Sequence, residues 1–252
     1  MSFSLSALIM VVVLTLLLGA DRWLHRHLQG VTLLLTGNRE VALWLYAILL
    51  FPGVALHELS HALSAALLGV KIGGISLLPQ QKEGHIQLGF VPVAETDFLR
   101  ASCIGAAPLL IGSAVIIAIG YSVFGTPAVL SSLAAGDWWG ALQGLRHALH
   151  APDAWVWAYL IFAVGNTMLP SRSDTHAWPL LGAALIFGGA IIVLAGAGAL
   201  LLETISPLLA SAVQWIILLG GSTFLIDLPF FLIIIVAEKI LERLKQQKIS
   251  YR

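Results

Sequence analysis

The sequence predicts an all-α polytopic membrane protein with about six transmembrane helices and a small β-hairpin between the second and third. Three observations predict it. Of 252 residues, 59% are hydrophobic and only 10% charged, and the mean hydropathy is +0.94. A soluble domain would be about a quarter charged. The apolar residues gather in runs near the ~20-residue length that crosses a bilayer core. One stretch between those runs, 70–100, sets short Ile/Leu/Val pieces on either side of a polar "PQQKEG", the pattern of two short strands and a turn. The whole chain, 1–252, reads as one integral-membrane domain.

The spans fall near 3–20, 41–69, 101–124, 154–170, 178–202 and 208–237. The first has no basic residues ahead of it and no small-x-small cleavage site before Asp21, so it reads as a retained helix and not a signal peptide. The fourth is short and ends at Pro170. Between the third and fourth, 125–153 carries "LSSLAAGDWWGALQGLRHALH" with Trp138 and Trp139 paired and few charges. It reads as an amphipathic helix lying in the membrane interface. The tail 238–252, "AEKILERLKQQK" onward, reads as a basic amphipathic helix on the cytoplasmic surface. With both termini cytoplasmic, nine Lys and Arg residues lie inside and four outside, so this orientation in the cell membrane is the expected one.

The zero formal net charge argues against nucleic acid as a partner. The single cysteine, Cys103, excludes an intrachain disulfide and a CxxC metal site. What remains is chemistry inside a lipid-embedded chain, and it concentrates in one place. "HELSH", residues 57–61, puts three ionisable groups inside the second apolar span, where each costs several kcal/mol unless compensated. His57 and His61 are four apart and share one helix face. Two neutral imidazoles so placed can bind one Zn²⁺, and Glu58 beside them can take a proton from water activated by that ion. The bland alternative is a polar helix–helix contact. A catalytic zinc needs a third protein ligand. Asp174, in "GNTMLPSRSDTHAWP", follows span four, which runs in the same direction as span two. The ends of both spans therefore reach the same membrane face. His176 is the alternative ligand.

HELSH within a transmembrane helix, followed about a hundred residues later by Asn166, Pro170 and Asp174, resembles the site-2 protease family of intramembrane zinc metalloproteases. Asn166 and Asp174 keep that family's spacing of eight. Pro170 stands one position late, and Thr175 replaces the glycine after the aspartate. "GAAPLLIGS", through Gly105 and Pro108, loosely matches the family's Gly-Pro helix but lacks its asparagine. The resemblance spans 41–180. It implies Zn²⁺ held by His57, His61 and Asp174, Glu58 as general base, and Asn166 touching the backbone of a transmembrane protein substrate. It also implies a hairpin that presents a β edge to that substrate. The departures leave room for a catalytically inactive relative that serves as a membrane binding or assembly subunit. A transporter would need its charges spread over several spans, and here they are concentrated at one motif.

Other polar residues are expected to be ordinary. His25 and His27 read as part of a basic interfacial loop after span one. Asp227, in "STFLIDLPFFL", either supports a polar cavity or caps a helix beginning at Pro229.

Overall fold

The computed structural model describes residues 3–82, 85–249 and 251, apart from the side chains of 3–5, 80–82, 85–86 and 134. Helices dominate. They are α1 (Phe3–Thr36), α2 (Arg39–Leu67), α3 (Phe98–Ser122), α4 (Thr126–Ala134), α5 (Trp138–Leu149), α6 (Ala154–Gly165), α7 (Trp178–Ile192) and α8 (Gly198–Lys245). Four helical stretches among the described residues are long and apolar enough to cross a membrane: 6–36, 39–67, 98–122 and 178–245. The protein is a membrane protein on that basis.

Four such stretches replace the six expected spans. The fourth expected span is α6, only 12 residues long, or about 18 Å at 1.5 Å per residue. The fifth and sixth join in one helical run, 178–245: the expected break at 203–207 is helical, with Pro207 inside α8, and the interruption falls instead within the expected fifth span. Val193–Ala197 is a π-helical segment with Gly196 at φ 83°, a conformation open to glycine. The chain bends there enough to bring Leu201 within 3.9 Å of a Cβ built on Gly189.

The first loop is also shorter than expected. Helix α1 continues past Asp21 to Thr36, so Arg22, His25, Arg26 and His27 belong to a helix and not to an interfacial loop. Apolar Leu24, Leu28, Val31 and Leu34 carry its periodicity through the basic stretch. Only Gly37 (φ 66°) and Asn38 separate α1 from α2. Asn38 caps α2, its side chain accepting from the N–H groups of Glu40 and Val41.

Helix α2 ends in a Schellman turn. Gly69 is left-handed (φ 68°), its N–H donates to the Ala66 carbonyl, and the Val70 N–H donates to Ala65 at 2.8 Å, as that motif requires. In the following segment, β1 (Gln80–Lys82) and β2 (His85–Gln87) pair antiparallel. Isolated bridges join Ile72 to Val93 and Ser76 to Phe90. Regular strand structure among the described residues is confined to these short pieces, well under the length expected over 70–100. Asp97 then caps α3 through Leu99 and Arg100. The expected single amphipathic helix over 125–153 is two helices, α4 and α5, folded on each other about Gly136 (φ 73°). Trp138 and Trp139 are exposed.

The packed interior lies among α1, α2, α3, α6 and the second half of α8. One apolar cluster joins Leu24, Leu28, Tyr46, Leu50, Val54, Phe162 and Ile234. A second joins Ile116, Ile119, Ile161, Val164 and Met168. Close approach between helices depends on glycine. A Cβ on Gly53 of α2 would collide with the Ala163 carbonyl of α6, and one on Gly105 of α3 with the Asp174 carbonyl. Small residues at such crossings are how membrane helices reach van der Waals contact.

Candidate metal centre

His57 and His61 lie in the last third of α2, on the face turned toward α3 and α6. Each imidazole is held from behind by a backbone carbonyl. His57 Nδ1 is 2.7 Å from the Thr167 carbonyl oxygen, and His61 Nδ1 is 2.9 Å from that of Ile104. A carbonyl only accepts, so each Nδ1 carries the proton and donates it. Both Nε2 atoms are thereby left as lone-pair acceptors in the neutral tautomers.

These two acceptors converge. The Nε2 atoms are 3.1 Å apart. Asp174 completes the group, with Oδ1 3.2 Å from His61 Nε2 and Oδ2 3.7 Å from His57 Nε2. The carboxylate is steadied by the Ser171 N–H, which donates to Oδ2 at 2.7 Å. Among the described residues, His57, His61 and Asp174 are the group of metal-ligating side chains whose ligand atoms lie within 4.8 Å of one another, and they could hold a metal ion.

Both orienting carbonyls are free for a local reason. Helix α6 ends at Gly165, so the Thr167 carbonyl is not consumed by a helical N–H. The Ile104 carbonyl lies inside α3, but its partner four residues on is Pro108, which has no N–H to offer.

Glu58 is buried at 8% exposure and lies under the segment that follows β2. A Cβ on Gly89 would sit 2.6 Å from its Cγ and 2.8 Å from its Oε1. His57, Glu58, His61 and Asp174 all line an open cavity of about 1470 Å³, with Gly89–Val93 along one wall. His176 lines it too, but its Nδ1 donates to the Ser173 carbonyl at 2.6 Å, and it is outside the three-residue group.

Asn166 is buried at the C-terminal end of α6 and lines the same cavity. Its Nδ2 donates to the Phe162 carbonyl (2.9 Å) and to Asp227 Oδ1 (3.0 Å). Both amide protons are thus used inside the protein. Asp227 is 2% exposed and sits within continuous α8, with Pro229 also inside the helix. It supports a polar contact and caps nothing.

Sequence reasoning missed the α1 side of this network. His25 Nε2 lies 3.2 Å from the Asn166 carbonyl and 3.1 Å from Asp21 Oδ1, while the Tyr46 hydroxyl, 2.6 Å from Nδ1, donates to it. The signal was present: Asp21, His25 and Gln29 recur every four residues and line the cavity together. Reading 22–39 as a loop concealed that shared face. The chain matches no protein-family model, no curated protein and no solved structure.

Proposed function

We propose that the protein is an intramembrane zinc endopeptidase that hydrolyses peptide bonds of transmembrane substrates near the cytoplasmic face. The observation that carries this reading is the convergence of two imidazole nitrogens and a carboxylate inside an apolar helix bundle. Such a group is electrostatically unfavourable unless a cation occupies its centre. Its spacings of 3.1, 3.2 and 3.7 Å bracket the ~3.4 Å between ligands of a tetrahedral ion bonded at about 2.0–2.1 Å. Two nitrogens and one oxygen, leaving a fourth position toward a cavity, is the donor set of a catalytic zinc. A zinc ion there would supply Lewis acidity and bring the pKa of water toward about 7.

The protein's own residues supply the rest. The Thr167 and Ile104 carbonyls hold both rings in the tautomer a ligand needs. Glu58 accepts the proton of the attacking water at its carboxylate. That transfer accompanies formation of the C–O bond to the carbonyl carbon, and Glu58 then delivers the proton to the leaving amine as the C–N bond breaks. The cavity admits water to a depth where lipid would exclude it, and Gly89–Val93 offers extended backbone beside Glu58 for a substrate strand. The resemblance to the site-2 protease family supports the same assignment.

Glu58→Gln tests it. The amide keeps the shape but cannot accept the proton. Zinc content is expected to stay at the wild-type level, while cleavage of a co-expressed single-span reporter falls by roughly 100-fold or more. Undiminished cleavage would sink the mechanism. Zinc binding by both forms with no cleavage of a broad reporter panel would favour the binding-subunit reading.

The orientation belongs to the same proposal and rests on the basic tail at the end of α8, which carries Lys239, Arg243, Lys245, Lys248 and Arg252. A cysteine at Ser171, introduced with Cys103→Ala, is expected to react with an impermeant thiol reagent from the cytoplasmic side. Labelling from the outside alone would reverse the topology.

A further inference from the structure

We infer that Pro108 is a positioning residue for the metal centre. By withholding one backbone N–H from α3, it makes the Ile104 carbonyl available to fix the tautomer and direction of His61. The inference rests on the metal-site reading for its importance, but not for its test.

In an uninterrupted α-helix the N–H of residue 108 would donate to the carbonyl of residue 104. Proline has no N–H, and its ring clashes with that carbonyl and tilts it away from the helix axis. In a bilayer a carbonyl so released must find another donor, because lipid offers none. Here the donor is His61 Nδ1, at 2.9 Å. Ile104 and Pro108 are both buried within α3.

The arrangement is reciprocal. His61 satisfies a carbonyl that Pro108 has orphaned, and that carbonyl leaves His61 Nε2 unprotonated and facing Asp174, 3.2 Å away. Three residues before the proline, Gly105 lets the Asp174 backbone press against the same turn of α3. A single turn of helix therefore sets the position of two of the three candidate ligands, through one missing proton and one missing side chain. Outer hydrogen bonds of this kind alter metal affinity by roughly 10–100-fold.

The test compares wild type with Pro108→Ala and Pro108→Gly, as full-length protein in detergent. Both variants restore the N–H and add no bulk. Alanine strengthens the helix and glycine does not, so a shared outcome reports the N–H and not helix stiffness. With ¹⁵N-labelled histidine in metal-free protein, His61 is expected to show a protonated Nδ1 in wild type and a mixture of tautomers in both variants. In parallel, Zn²⁺ affinity by chelator competition should fall about tenfold or more in both, while the melting temperature of Pro108→Ala holds or rises. A merely structural proline would move stability and leave the tautomer alone.

If His61 keeps its Nδ1 proton in both variants, the inference is overturned. If the tautomer shifts but wild type binds no Zn²⁺, the role of Pro108 stands and the metal reading fails.

Discussion

Two regions of this molecule are both apolar enough for a bilayer and behave in opposite ways. Helices α2, α3 and α6 hold His57, Glu58, His61, Asn166 and several prolines and glycines, and they are the packed part. Helix α7, the π segment and the first turns of α8 carry almost nothing but Leu, Ile, Ala, Val and Gly. No residue of α7 or of Val193–Ala197 is buried, and the first buried residue of α8 is Val213. In water the more hydrophobic segment would be the more buried. In a bilayer, lipid tails solvate Leu as well as a protein core does, so hydrophobicity does not drive helices together. What draws helices in is what lipid cannot satisfy: the Pro108-released carbonyl, the imidazoles and the Asn166–Asp227 contact. The small residues that let backbones meet complete the set. The buried helices are those that carry or adjoin groups lipid cannot satisfy and that have small residues at their crossings.

That contrast can be broken most sharply at the centre. Asp174→Ala leaves two histidine nitrogens converging on no carboxylate. Zinc affinity is expected to fall beyond the roughly 10–100-fold typical of losing an outer partner, whereas His176→Ala should leave zinc content unchanged. Metal analysis of the two purified variants decides it, and the reverse pattern would transfer the ligand role to His176.

A matched pair of truncations sharpens the packing half of the comparison. Ile161 is 0% exposed and Ile186 is 76% exposed. Ile161→Ala opens a void among Ile116, Val164 and Met168, and should destabilise the protein by about 2 kcal/mol or more. Ile186→Ala should stay within about 0.5 kcal/mol. Thermal unfolding in one detergent measures both. Equal losses would mean that α7 packs against something beyond this chain.

Much of the helical plan was legible because it is local. The 3.6-residue period, Asn38 and Asp97 as caps, and Gly69 as a stop each act within a few residues of themselves. His57 and His61 on one face followed from spacing alone. The misreadings were of two kinds. Asp21 through Gln29 looked like a loop because its charges outweighed, by eye, the Leu24–Leu28–Val31 stripe that keeps it helical. Residues 178–245 looked like two separate spans because Glu203, Thr204, Ser206 and Pro207 interrupt the apolar run, yet the helix continues through them and bends earlier, at Val193–Ala197. Asp227 was undecided because a carboxylate two residues before a proline suits a cap as well as a buried contact. Only Asn166, 61 positions earlier, distinguishes the two.

The sequence by itself determined that this is a helical membrane protein and that two imidazoles and a carboxylic acid share one turn of one helix, since both facts depend on neighbours in the chain. The tertiary structure alone decided that Asp174 meets those imidazoles and that Ile104 and Thr167 orient them. It also decided that His25, Asn166 and Asp227 brace the end of α6. Those contacts join residues 43 to 141 positions apart, and among apolar helices in lipid no hydrophobic pattern marks which face will meet which. The selection falls to single hydrogen bonds and single missing atoms, whose partners become visible only once the helices are side by side.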